Sequence, residues 1–232
     1  MRVSYTIDLE HDCPPYLTSY QGMAEGLPRL LDLLSARGVR ATFFATGDVA
    51  RRFPALIRRL VDEGHELGCH GDTHKRFSAM SADEAFREID ASSRTLRAFS
   101  AVTSFRAPNL DFPREYYPIL RDAGYVHDSS RAKYKRGSFF AGAEVFSGVR
   151  SVPASTTPSA TRLPAFLSRR VLASLSDPAV LFFHPWEFVD MRSAPIPLDC
   201  RFGTGDGALA ALDSAIDHFA DAGARTTLIS EL

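Results

Sequence analysis

Residues 2–12 read RVSYTIDLEHD. The first seven are rich in β-branched and aromatic types and end in a carboxylate, the mark of a short buried strand. Beyond it Asp8, Glu10 and Asp12 alternate with Leu9 and His11. Several carboxylates at a strand end are costly to bury unless a cation or hydrogen-bond donors compensate them. Ordinary turn chemistry ahead of the following CPP is the plainer alternative.

The same grammar repeats outward along the chain. Leu27, Leu30, Leu31 and Leu34 stripe a helix over 22–38 that Gly38 stops. A strand over 39–47 and a helix over 48–64, with Asp48 as N-cap, come next. The strand 65–71, HELGCHG, runs into a histidine loop, and a capping box from Ser81 to Glu84 opens a helix over 81–99. SFRAP, then a helix over 113–124, then YVHDSS continue the rhythm. Between about residues 133 and 164 it dissolves into Gly, Ser, Thr and Pro, which predicts irregular hairpins or loops and a natural place for substrate recognition. A helix over 163–175, a strand over 179–188, a helix over 207–223 and a last strand over 225–230 complete the pattern.

Strand–helix alternation implies parallel strands with right-handed crossovers, in a barrel or a doubly wound sheet. Asp8 and Glu10, His70 and His74, Arg106, Asp128 and His184 all fall at strand ends, where such folds collect their chemistry. Five strands delivering ionisable groups to one rim favour a barrel-like closure. With no linker, repeat or low-complexity tract, residues 1–232 read as one α/β domain.

Composition excludes more than it selects. A net charge of −1 gives no reason to expect nucleic acid or an anionic membrane as partner. Basic clusters such as ARRFPALIRRL sit on an amphipathic pattern and read as a solvated helix face. The three cysteines, Cys13, Cys69 and Cys200, imply no disulfide framework. The first residues lack a signal-peptide pattern and no run is long enough to span a bilayer, so the expected location is the cytoplasm. Oligomeric state leaves no mark in the sequence.

Four groups of residues carry chemistry. His70 and His74, four apart in GCHGDTH with Gly68 and Gly71 leaving room, can face one ion. Two histidines and one carboxylate make a three-ligand set with open positions, and a second carboxylate can take a proton from water there. Arg106, inside the apolar strand SFRAP, needs an anionic partner, and Asp8 is the obvious one. His184 ends the apolar strand of LFFHPWEF; alone it reads as a core histidine, but facing a metal site it is a candidate general acid. Aromatics such as Phe105, Phe112, Tyr116 and Tyr117 can stack on a sugar but are better read as core.

Taken in order, TIDLEHD, TFFATG, GHELGCHGDTH, SFRAPN, GYVHDSS and LFFHPWEF resemble the NodB-homology polysaccharide deacetylases, carbohydrate esterase family 4. The resemblance runs from Tyr5 to the end of the chain and implies a distorted, irregular (β/α) barrel. It places the catalytic base on Asp8 and the metal histidines on His70 and His74. The metal aspartate that usually follows the base is replaced by Leu9; some relatives place that ligand one residue later, which here is Glu10, with His11 and Asp12 as alternatives. Arg106 matches the arginine that pairs with the base, the Asn109 N–H the oxyanion donor, and His184 the general acid. The carboxylate that tunes this acid has no matching motif in SVPASTTPSA, and Glu187 is the nearest candidate.

The resemblance implies a hydrolase that removes an acetyl or formyl group from nitrogen on a soluble, lipid-linked or nucleotide-linked saccharide. Zinc is the default ion, and Fe2+, Co2+ and Mn2+ suit the same ligands. Two alternatives stand beside it: a cyclic-imide or ureide amidohydrolase of the allantoinase type, and a catalytically silent sugar-binding protein.

Overall fold

A computed structural model describes residues 1–135 and 142–232. The strand β1 (Arg2–Leu9) is buried along nearly its whole length and is flanked by strands on both sides. It pairs in parallel with β2 (Thr42–Ala45) on one side and with β8 (Ala179–Phe183) on the other, while the short β9 (Arg225–Thr226) joins it at Arg2 and Val3. The remaining strands are β3 (Glu66–Cys69), β4 (Ser104–Phe105), β5 (His127–Asp128), β6 (Glu144–Phe146) and β7 (Val149–Ser151). Their order is β6-β7-β5-β4-β3-β2-β1-β8, and only the β6–β7 hairpin is antiparallel.

The sheet curls towards closure. Past β7 the chain bridges Ala154 to Ala132, and Ser155 then exchanges two bonds with Val180 of β8: N–H to carbonyl at 2.8 Å, and Oγ from the Val180 N–H at 2.9 Å. The expected barrel is therefore present but irregular, its seam sewn by a loop residue. Covered on both faces, the central strands are buried almost throughout, and β8 is wholly apolar, whereas β1 alternates and turns Ser4, Thr6 and Asp8 to one side.

Helices wrap the outside. They are α1 (Leu27–Arg37), α2 (Gly47–Arg52), α3 (Pro54–Asp62), α4 (Ala82–Leu96), α5 (Tyr117–Asp122), α6 (Pro158–Thr161), α7 (Ala165–Ala173), α8 (Leu198–Arg201) and α9 (Asp206–Asp221). The expected leucine stripe of α1 is fully buried, and α4 opens with the expected capping box.

Four expectations need correction. The helix over 48–64 is two, because Pro54 cannot continue a hydrogen-bonded turn and starts α3 afresh. Its N-cap is Thr46, whose hydroxyl accepts from Val49 N–H; Asp48 instead accepts from Tyr20 and Arg52. The strand over 225–230 stops at Thr226 and turns into a 3-10 helix at Ile229–Glu231. The irregular stretch holds a hairpin as expected, β6–β7, but also a short helix, α6, with residues 136–141 outside the described part.

Candidate metal centre and acid–base site

Strand register aligns the site. Leu9 pairs with Ala45, Ala45 with Cys69, and Cys69 with Phe105. One residue further on, these strands deliver Glu10, Thr46, His70 and Arg106 to one level. On the other side Ile7 pairs with Phe183, so the next residues, Asp8 and His184, are neighbours.

Glu10, His70 and His74 converge, their ligand atoms all within 4.8 Å of one another. Glu10 Oε2 lies 3.3 Å from His70 Nε2 and 2.5 Å from His74 Nε2. His70 Nδ1 lies 2.7 Å from the Arg106 carbonyl, which can only accept, so Nδ1 carries the proton. In the neutral ring Nε2 then turns a lone pair towards a carboxylate oxygen. Two acceptors facing at that distance repel unless a cation sits between them. His74 Nε2 is buried and too far out of line to hydrogen-bond with any protein atom among the described residues. These three residues fit a divalent ion.

Of the alternatives, Asp12 is turned away: its carboxylate accepts from Ser19 Oγ and from the Gln21 and Gly22 N–H groups. His11 packs edge-on against His74, with ring centroids 5.4 Å apart.

The histidine loop is fastened from outside. Glu88, on α4, accepts from the Asp72 and Thr73 N–H groups and from the Thr73 hydroxyl, and Arg51 pairs with Asp72 at 2.7 Å. Nothing in the sequence separates Glu88 from the other charged residues of a solvated helix, so its role was not legible there.

Arg106 lies wholly buried inside the barrel. Nη1 donates to Asp8 Oδ1 at 2.8 Å and to Thr6 Oγ1 at 2.7 Å, Nη2 to Ser129 Oγ at 2.8 Å, and Nε to the Ser129 carbonyl. Its guanidinium stacks 4.3 Å from the centre of the Phe44 ring. The expected Asp8–Arg106 pair is present. Asp128, grouped above with the rim residues, instead ties strands together, accepting from Tyr117, Ser130 and Ser151.

His184 faces Glu10 across 3.7 Å from Nε2, and its Nδ1 lies 3.0 Å from Glu187 Oε1, which also accepts from its backbone N–H. Burial alone would lower the imidazole pKa, but the Glu10 charge, the Glu187 hydrogen bond and charge, and the Asp8 charge together push it up to about 9. Burial acts on Glu10 in the opposite sense, and there the His74 and His184 charges and the His70 and His74 contacts outweigh it, holding the carboxyl well below the usual range. Behind Glu187 sits Arg162, its Nε 3.2 Å from Oε2, with both side chains almost wholly buried. The carboxylate sought upstream of His184 thus lies three residues after it. What stands near the SVPASTTPSA stretch is the arginine that neutralises it.

Asp8, Glu10, His74 and His184 line a cleft of about 570 Å³ that also takes in Asn109, Phe182 and Trp186. Asn109 has a left-handed backbone, φ 59°, as do Cys13, His74 and Leu110 on the same walls. Such conformations cost of order 1–3 kcal/mol each in non-glycine residues, and the surrounding structure must hold them in place. Cys13 and Cys200, far apart in sequence, share one wall as free thiols.

Barrel and site together give a parallel-sheet fold carrying a Glu-His-His cluster beside an Asp–Arg pair. A family model, polysaccharide deacetylase, matches residues 12–127, half of the chain, and the chain belongs to that family. The matched half holds His70, His74, Arg106 and Asn109; Asp8, Glu10 and His184 lie outside it. The chain is 40% identical over 114 residues to an uncharacterised 30.6 kDa protein of Geobacillus stearothermophilus, covering 47% of this chain and 43% of that one. It is 39% identical over 77 residues to the peptidoglycan-N-acetylmuramic acid deacetylase PdaA of Bacillus subtilis, 33% of this chain and 29% of that. The matches thus span less than half the length of these relatives. A family 4 carbohydrate esterase pseudoenzyme of Bacillus anthracis, BA3943, superposes over 100% of this chain and 64% of its own with TM-score 0.67 at 20% identity, a likeness of fold alone. Among the described residues no helix is long and apolar enough to cross a membrane.

Proposed function

We propose that this protein is a divalent-metal hydrolase that removes an acyl group from nitrogen on a saccharide. The observation that carries this is the His70 lone pair facing the Glu10 carboxylate, an arrangement that calls for a cation, with Asp8 and His184 beside it. A relative named for deacetylating peptidoglycan N-acetylmuramic acid supports an N-acetyl sugar as substrate.

Glu10, His70 and His74 would hold the ion, zinc in the first instance, with Fe2+, Co2+ and Mn2+ suited to the same donors. Bound there, it would supply Lewis acidity to a water molecule and to the acyl oxygen. Asp8, oriented by Arg106, takes the proton of the attacking water. The Asn109 N–H, at the cleft wall, donates to the developing oxyanion, a role worth about 3–4 kcal/mol for one such donor in a protease. His184, oriented at Nδ1 by Glu187, passes the proton on its Nε2 to the departing amine.

The test is elemental analysis of the purified protein beside a His70→Ala, His74→Ala variant, followed by assay of amine release from N-acetyl and N-formyl sugars. Close to one divalent ion per chain in the wild type, little in the variant, and amine release that stops on chelation are expected. A wild type that takes up no zinc, iron, cobalt or manganese would overturn the reading.

A further inference from the structure

The cleft has two unlike walls. Trp186 and the thiols of Cys13 and Cys200 form one. The other, past Asn109, carries Arg76, Arg114, Arg131 and Lys135. Arg114 and Arg131 place their guanidinium carbons 5.0 and 5.3 Å from the centre of a single ring, Phe146, which holds the two cations near each other. Lys135 is half-buried and donates to the Asn109 and Leu110 carbonyls; burial lowers its pKa, the Asp111 charge opposes this, and the Arg76 charge adds to it.

Four cations share one wall, two of them partly buried, and the described residues offer them few anions. Arg131 Nη2 pairs with Glu144 at 3.1 Å, while its Nη1 is buried without an acceptor among the described residues. Asp111, near Lys135, accepts from Ser78 at 2.5 Å. Arg114 and Arg76 form no ion pair among the described residues, and residues 136–141, RGSFFA, contain no acid that could provide one. Clustered like charges repel, and the surplus is offset by an anion brought from outside. Guanidinium forks suit carboxylate and phosphoryl oxygens, and the cleft volume falls in the range of small-molecule sites.

We propose that the saccharide bound here carries an acidic group, a carboxylate or a phosphoryl, seated against Arg114, Arg131 and Lys135 beyond Asn109. This rests on the deacylase reading and narrows its substrate to acidic sugars.

Three probes share one N-acetylated ring: N-acetylglucosamine, N-acetylmuramic acid, which adds a carboxylate, and N-acetylglucosamine 6-phosphate. Binding to the zinc-loaded full chain is measured by titration calorimetry, and amine release is measured separately. At low salt at least one acidic sugar should bind about tenfold tighter than the neutral one, the gain of a charge-assisted contact, and the advantage should shrink as salt is added. Which acidic sugar wins separates the carboxylate from the phosphoryl. Arg114→Gln, at an exposed position, and Arg131→Gln should each cut the acidic-to-neutral affinity ratio several-fold. Equal binding of all three sugars, binding of none at millimolar concentration, or a ratio unchanged in both variants would overturn the proposal. Tight binding of acidic sugars without amine release would uphold it and sink the deacylase reading. Equal binding and equal amine release from all three would do the reverse.

Discussion

Arg162 donates to the Cys200 and Phe202 carbonyls behind the cleft wall, and its partner Glu187 touches His184. Both members of the pair are buried, so removing one strands a charge away from water. Arg162→Met should cost about 3–5 kcal/mol in denaturant unfolding, the usual penalty for breaking a buried pair from one side. His184→Ala acts differently. Amine release should fall by about 10²–10⁴, the worth of a general acid, while metal content stays that of the wild type. Loss of the metal instead would show His184 to be a ligand. At this scale the sequence was legible wherever a residue was out of place. A guanidinium in the apolar strand SFRAP has to find an anion, and Asp8 was the one at a strand end. Arg162 lies among Ser, Thr and Pro, where an arginine is unremarkable, and Glu88 sits on a helix with many charges. Their roles exist only through partners that the fold brings to them.

Helices and turns obeyed local rules where the partners are local, and departed from them where another segment intervenes. The α4 capping box is a local device, visible in sequence and present in the structure. Ser81→Ala should lower stability by about 1 kcal/mol in urea titration. The turn before α1 is set by tertiary contact instead: a Cβ on Gly26 would stand 2.0 Å from the Pro185 carbonyl oxygen. Gly26→Ala therefore has to push the turn carrying Glu187 outward. It should destabilise by about 1–3 kcal/mol, the range for overpacking. Gly207, inside α9, has nothing within 4 Å of such a Cβ. Gly207→Ala should raise stability by about 0.4–1 kcal/mol, because it restricts the unfolded chain without a clash. Asp48 shows why caps are read only approximately: Thr46, two residues earlier, offers a hydroxyl at the actual helix start, and Asp48 is left to Tyr20 and Arg52.

For the molecule as a whole, strand–helix alternation left a barrel or a doubly wound sheet, and the ionisable groups at five strand ends favoured the barrel. The way it closes was not legible, since Ser155 bonds to Val180 from within a stretch that has no strand pattern. Buried histidines outside the cleft predict how stability follows pH. Burial lowers the pKa values of His65 and His127, and His65 Nδ1 accepts from the Ala41 N–H, a bond that protonation at that nitrogen would abolish. Above about pH 6.5 both folded and unfolded chains hold these rings neutral. As pH falls through that value the unfolded chain takes up protons that the folded one resists, so stability declines on the acid side. His184, with its raised pKa, adds stability as pH falls towards about 6.5, so the decline belongs below that value: there the unfolding free energy of the metal-free protein should fall, and fall less in His65→Gln. An equal decline in the variant would assign it to other groups. One further consequence follows from the place of β1, whose Thr6 hydroxyl donates to Leu181, 175 residues away. Ribosomes extend chains at about 5–20 residues per second, so for many seconds the strand bearing Asp8 and Glu10 waits with one edge bare. That edge is a template for wrong pairing until β8 emerges, and β8 delivers His184. The same late strand that shields the nascent chain from aggregation also completes its chemistry.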